Sequence, residues 1–179
     1  MEAVITPSLA LAVPADPPGV RFKQFVVAYR TRAVGLAWRL CGGDAQAAED
    51  IAQEAFLRAH RALPRFRSDA RLETWFFRIL VRCAHNHRRS QSRRELAVPP
   101  TPEGSTAALP DPGLQQRIGM ALNTLSRGQR EAFVLVHLEG FTIVETAAIL
   151  KRSPGTIKTH LHRAMPRLRA ELGDLKGTV

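Results

Sequence analysis

Apolar positions in this chain recur with helical spacing in two blocks, and nowhere do they alternate with period two for long enough to make a sheet. In the first block the pattern predicts helices over Phe22 to Leu40, Ala45 to Leu63 and Leu72 to about Arg94. Within the second of these, Ala52, Phe56, Ala59 and Leu63 fall at i, i+4, i+7 and i+11 and form the face expected to be buried. In the third, Trp75, Phe76 and Ile79 share a spacing that suits a core, with Trp75 and Ile79 as the firmest expectations. The second block, Glu131 to Arg169, holds a short helix containing Ile143, Ala147 and Leu150, then a break at Lys151-Arg152-Ser153, then a helix carrying Ile157, Leu161, Ala164, Met165 and Leu168. Ser153 is placed to cap that last helix and Pro154 suits its first position. No internal repeat is visible, and the fold class is all-α.

Breaker residues set the boundaries. Pro7, Pro14, Pro17 and Pro18 mark residues 1–19 as a mobile N-terminal tail, and seven Pro and Gly from Pro99 to Gly113 mark 97–113 as a linker. Two small helical domains follow, 20–96 and 114–174, the second containing a helix-turn-helix. Pro166 interrupts the last helical pattern and predicts that the helix bends or ends between Arg163 and Pro166.

Charge narrows the partner. The 179 residues carry a formal net charge of +10, which favours a polyanion, and no apolar run is long enough to span a bilayer. Two cysteines, Cys41 and Cys83, fit a reducing compartment, and a cytoplasmic location without membrane insertion is expected. From Arg58 to Arg94 there are eleven arginines against Asp69 and Glu73, interleaved with Phe66, Trp75, Phe76 and Phe77. Cations that follow phosphates and rings that receive bases are what melted nucleic acid requires. The last helix carries a second basic face: Gly155, Thr156, Thr159, His162 and Arg163 lie opposite its apolar side, flanked by Lys158 and His160. Between Leu150 and Arg169 there are six Lys or Arg and no carboxylate, whereas solvated helices usually mix both signs. Such a face fits a DNA major groove.

One feature is neither core nor cation. On the second helix Asp50, Gln53, Glu54 and Leu57 point away from the buried face. A favourable N-terminal dipole accounts for Glu49 and Asp50, but not for an exposed Leu among carboxylates, which resembles a docking surface for a basic helical partner.

The residues that carry a family resemblance are Ala48 to Phe56, Leu63-Pro64-Arg65-Phe66-Arg67-Ser68-Asp69, Thr74 to Ile79, Asn86-His87, Leu125 to Phe133 and Gly155-Thr156-Ile157-Lys158. In this order, over roughly residues 20 to 172, the chain resembles a bacterial RNA polymerase sigma factor of the small, two-domain extracytoplasmic-function type. The resemblance implies a first domain that binds the polymerase clamp and opens the minus-10 element, and a second that reads the minus-35 element. It assigns polymerase contact to Asp50, Gln53, Glu54 and Leu57. It assigns minus-10 DNA to Phe66, Arg67, Ser68, Asp69, Arg78, Arg82, Asn86, His87 and Arg89, with the loop from Phe66 to Leu72 as the pocket for a flipped base. Minus-35 DNA falls to Arg152, Thr156, Lys158, Thr159, His160, His162 and Arg163. It also implies core RNA polymerase, promoter DNA and an anti-sigma factor as partners.

This chain departs from the family pattern at Arg82, where Asn is frequent, at Ser68, where Gly is common, and at Thr146, where Ile is usual. Two other readings compete. A stand-alone helix-turn-helix regulator would bind duplex promoters without polymerase. A metal sensor would use Cys83, His85 and His87, but on a helix only Cys83 and His87 share a face. No nucleophile–base pair or phosphate-binding glycine loop is evident, so neither catalysis nor a cofactor is expected.

Overall fold

A computed structural model describes residues 18–66, 71–95 and 112–173, and among these every regular element is helical. The order is α1 (Pro18–Cys41), α2 (Ala45–Ala62), a 3-10 turn (Leu63–Arg65), α3 (Leu72–Glu95), α4 (Pro112–Asn123), α5 (Arg127–Phe133), α6 (Ile143–Leu150) and α7 (Pro154–Leu172). α5 runs on into a π turn over Val134–Leu138. α1 takes in Pro18 and Gly19 and α4 takes in Pro112 and Gly113, so both helices begin inside segments that the breaker residues had marked as tail and linker. A proline in the first turn costs the helix little, because that N–H has no intrahelical partner anyway.

Local chemistry explains the ends. Asp44 caps α2 by accepting from the Ala47 N–H at 2.9 Å. Thr142 and Glu145 form a reciprocal capping box at the start of α6. Ser153 accepts from the Thr156 N–H at 3.1 Å, with Pro154 following, as the sequence predicts. α4 has an unusual C-terminal cap. Arg130, 5% exposed, reaches back from α5 to donate Nε to the Leu122 carbonyl at 2.8 Å and Nη2 to the Asn123 carbonyl at 3.4 Å. Burial, with repulsion from Arg88 behind it, lowers the Arg130 pKa below the ordinary arginine value.

The core corrects one expectation. Phe76 and Phe77 are fully buried, while Trp75 and Ile79 are only half-buried. α3 is covered on two sides, by α1 and α2 on one and by the second block on the other, so adjacent positions rather than i and i+4 carry the burial. Phe76 stacks on Phe56 at 4.6 Å between centroids, and Phe77 meets Phe141 edge-on at 5.2 Å. On α2, Ala52 and Ala59 are buried as predicted, while Phe56 and Leu63 pack partly buried at the edge of the core.

The two blocks pack against each other. One continuous cluster joins Leu36, Phe76, Phe77 and Leu80 to Leu122, Leu135, Phe141, Ile149 and Leu168. A smaller cluster of Ala132, Ala147 and Ile157 holds α5, α6 and α7 together. α7 does not end at Pro166, but continues to Leu172 with the proline inside it.

Candidate functional site

Three surface regions meet the site residues read from the sequence. The first is the outer face of α2. Asp50 and Gln53 are exposed, Glu54 is half-exposed, and Leu57 keeps 46% of its surface open beside them. The helix begins at Ala45 with no carboxylate in its first turn, so Glu49 and Asp50 sit too far along for the dipole to explain them. That role belongs to Asp44. Glu54 is held by Arg58 at 2.5 Å, one turn on, and Glu49 lies 3.8 Å from Arg30. Both pairs are solvent-exposed and contribute little to stability.

The second region is α3 with the loop before it. Arg82, Asn86 and Arg89 line up along one exposed row, with Arg78 and His87 half-buried at its edges. Phe66 lies 5.0 Å from the Trp75 ring, so the turn after α2 and the start of α3 share a partly open aromatic pair. Arg67, Ser68 and Asp69 lie outside the described residues. A cleft of about 500 Å³ connects the first region to the second, lined by Asp50, Glu54, Arg58, Cys83, Asn86 and His87. Arg58 was counted in the sequence only as part of the arginine excess. Its placement follows from helical spacing, because it lies one turn from Glu54.

The third region is α7 and the turn before it. Arg152, Lys158, Thr159, His162 and Arg163 are exposed, and Thr156 and His160 are half-buried. Thr159 Oγ1 donates to the Gly155 carbonyl at 3.0 Å, which fixes its methyl group outward from the helix. His160 differs from its neighbours because its ring lies over Gly128 of α5. A Cβ on Gly128 would come 2.8 Å from the ring atoms Cε1 and Nε2. The side chain therefore serves helix packing at least as much as any ligand. Lys151, at the break, adopts a left-handed conformation with φ 52° and closes α6 through a bond from its N–H to the Ala147 carbonyl.

Cys83 and His87 line the same cleft, whereas His85 turns to the second block. His85 Nε2 is 2.6 Å from Glu131 Oε1, and Cys83 is buried in the α3 core. Burial raises the Cys83 pKa, and burial together with Asp44 pushes Cys41 up to about 11, so both remain thiols at neutral pH. Among the described residues no helix is long and apolar enough to cross a membrane.

Comparison with known proteins matches the two blocks separately. The family model for sigma-70 region 2 matches residues 25–94 and that for sigma-70 region 4 matches 115–168. The RNA polymerase sigma-H factor of Pseudomonas aeruginosa is 31% identical over 158 residues, 80% of this chain and 81% of that protein. The ECF RNA polymerase sigma-E factor of Escherichia coli is 31% identical over 163 residues, covering 80% and 82%. ECF RNA polymerase sigma factor SigM of Mycobacterium tuberculosis is 35% identical over 141 residues, covering 76% and 70%. Among solved structures, the sigma factor RpoE in complex with the anti-sigma factor NepR from Bartonella quintana superposes with a TM-score of 0.75 at 30% identity, covering 86% of this chain and 97% of that one. CnrH in complex with the cytosolic domain of CnrY gives a TM-score of 0.65 at 28% identity, covering 87% and 90%.

Proposed function

As a member of the extracytoplasmic-function group of sigma-70 factors, to which this chain belongs, the protein is a transcription initiation factor that brings core RNA polymerase to promoters, and we propose that it divides this work among three faces. Asp50, Gln53, Glu54 and Leu57 on α2 dock the polymerase. Phe66, Arg78, Arg82, Asn86, His87 and Arg89, with Arg67, Ser68 and Asp69 of the loop, take the opened minus-10 strand. Arg152, Thr156, Lys158, Thr159, His160, His162 and Arg163 engage the minus-35 duplex.

The observation that carries this reading is Leu57, 46% exposed in the midst of Asp50, Gln53 and Glu54 while the rest of the α2 apolar face is packed. A cationic helix with an apolar ridge would cover Leu57 and its flanking carboxylates at once. Burying the exposed part of a Leu and pairing the flanking carboxylates is enough to make this a focal contact.

The DNA faces differ in what they can do. The α7 row presents Lys158, His162 and Arg163 on a rigid helix, which suits edge and phosphate contacts in a duplex groove. The α3 row stands beside the Phe66–Trp75 pair, which suits single-stranded bases, whose flat faces gain stacking once they leave the duplex. Arg82 replaces the frequent Asn with a longer cation, which favours phosphate or guanine contact at that point of the strand. Two structural neighbours are complexes with an anti-sigma factor or with a cytosolic domain of a second protein, which supports an anti-sigma partner for this chain too.

The reading is tested by binding of purified core polymerase to the wild type and to Gln53→Ala with Leu57→Ala. Polymerase affinity should fall about tenfold or more in the double variant, with thermal stability retained, because both side chains are exposed. Equal affinity would show that α2 does not carry the contact.

A further inference from the structure

Glu139 follows the π turn of the second block, and its side chain is only 3% exposed. It is buried against the first block. Arg32 Nε of α1 donates to Oε2 at 2.8 Å, Arg39 Nη1, two turns further along α1, donates to Oε1 at 3.0 Å, and Arg32 Nη2 donates to the Glu139 carbonyl at 2.6 Å. Arg32 also pairs with Glu73 of α3, so the charges alternate along Glu73, Arg32, Glu139 and Arg39. Burial opposes the Arg32 charge, but Glu139 and Glu73 outweigh it and raise its pKa above the ordinary arginine value. Two residues on, Phe141 is buried against the Phe77 ring, and the Arg32 guanidinium lies 4.8 Å from the Phe77 centroid and 5.2 Å from that of Phe141. Gly140 makes the sharp turn between them with φ 75°.

Glu139-Gly140-Phe141 thus forms a plug, one carboxylate and one ring, and Arg32, Arg39 and Phe77 form its seat. We propose that this plug and seat are an intramolecular latch that holds the two DNA-binding blocks closed in the free protein and is released when they engage a promoter on polymerase. The functional half of this inference rests on the sigma-factor reading above.

Size makes release necessary. A compact chain of this length has a radius of gyration of about 16 Å. The minus-35 and minus-10 elements are roughly 25 base pairs apart, or about 85 Å along the duplex at ~3.4 Å per pair. A closed body cannot place α7 on one element and α3 on the other. The seat is nonetheless well made: three hydrogen bonds, a desolvated carboxylate and an aromatic contact. Binding energy from polymerase and DNA must therefore exceed what the latch supplies, and the latch sets how much of the free protein is open.

The test uses the full chain. Small-angle X-ray scattering of the wild type is compared with Glu139→Gln, which keeps the shape and removes the charge, and with Arg39→Gln, which removes one of the three Glu139 bonds and leaves the core alone. Removing one member of a buried ion pair should shift the closed–open balance by roughly tenfold or more towards open, and less for Arg39→Gln. The expected result is a radius of gyration larger by roughly a fifth in Glu139→Gln and an intermediate value in Arg39→Gln. Run-off transcription at limiting core polymerase should rise in the same order. If both folded variants scatter as compactly as the wild type, the latch is overturned. If they expand without any gain in transcription, gating is overturned. If no variant or wild type supports transcription while the scattering changes as expected, it is the sigma-factor reading that fails, and the latch stands.

Discussion

His85 Nε2 lies 2.6 Å from Glu131 Oε1, which joins the middle of α3 to the start of α5 across the boundary between the two blocks. The same Glu131 oxygen accepts from Arg127 Nε at 2.7 Å. Burial alone would raise the Glu131 pKa, but the hydrogen bonds and charges of His85 and Arg127 outweigh it and hold the carboxyl below the usual glutamate range. A depressed carboxyl pKa stabilises the fold at any pH above the unfolded-state value, and that stabilisation disappears as pH falls through the folded-state value. The wild type should therefore lose thermal stability as pH drops below about 5. Glu131→Gln should show a lower Tm at neutral pH and a shallower acid loss, measured as Tm between neutral and acid pH.

Thr146 is fully buried on α6, and its Oγ1 has no hydrogen-bond partner among the described residues. A buried hydroxyl without a partner keeps its desolvation penalty and returns nothing. Thr146→Val has the same shape without the hydroxyl and should stabilise the protein by about 1 kcal/mol, a Tm increase of ~2–4 °C. Differential scanning calorimetry reads this directly, and an unchanged or lower Tm would mean that the hydroxyl is satisfied in solution.

Lys151 holds a left-handed backbone conformation that a side chain with a Cβ disfavours. Lys151→Gly should stabilise the helix-turn-helix by about 1 kcal/mol. The same change removes an exposed cation next to Arg152, so urea unfolding should improve while non-specific duplex binding weakens and its salt dependence becomes slightly less steep.

Arg130→Met keeps the bulk of the side chain but removes the donors that cap the Leu122 and Asn123 carbonyls. Leaving those carbonyls buried or poorly solvated should cost about 2 kcal/mol, seen as a lower midpoint in urea unfolding with an unchanged slope.

How much of this was legible in sequence depended on what surrounded each helix. α2 and α6 were readable from their apolar spacing, and the start of α7 because its cap is local: Ser153 acts within three residues of itself. The exposed Leu57 was readable because α2 packs on one face only. α3 was misread at Trp75 and Ile79, since a helix covered from two sides buries adjacent positions and its single-face periodicity no longer says which side chain is inside. Glu139 left no signal at all. A lone Glu before a Gly reads as a solvated turn, and its partners Arg32 and Arg39 are about 100 residues away in the chain. Pro166 does not end its helix, which packing at Ala164 and Leu168 carries past it to Leu172.

The central claim is that this chain directs core RNA polymerase to promoters through the exposed face of α2. In vitro transcription with core polymerase and a library of promoter sequences measures it most directly. Adding the protein should create new start sites that share upstream and downstream sequence elements, and Gln53→Ala with Leu57→Ala should reduce their yield about tenfold or more. The absence of new start sites, or full yield from the double variant, would contradict the account.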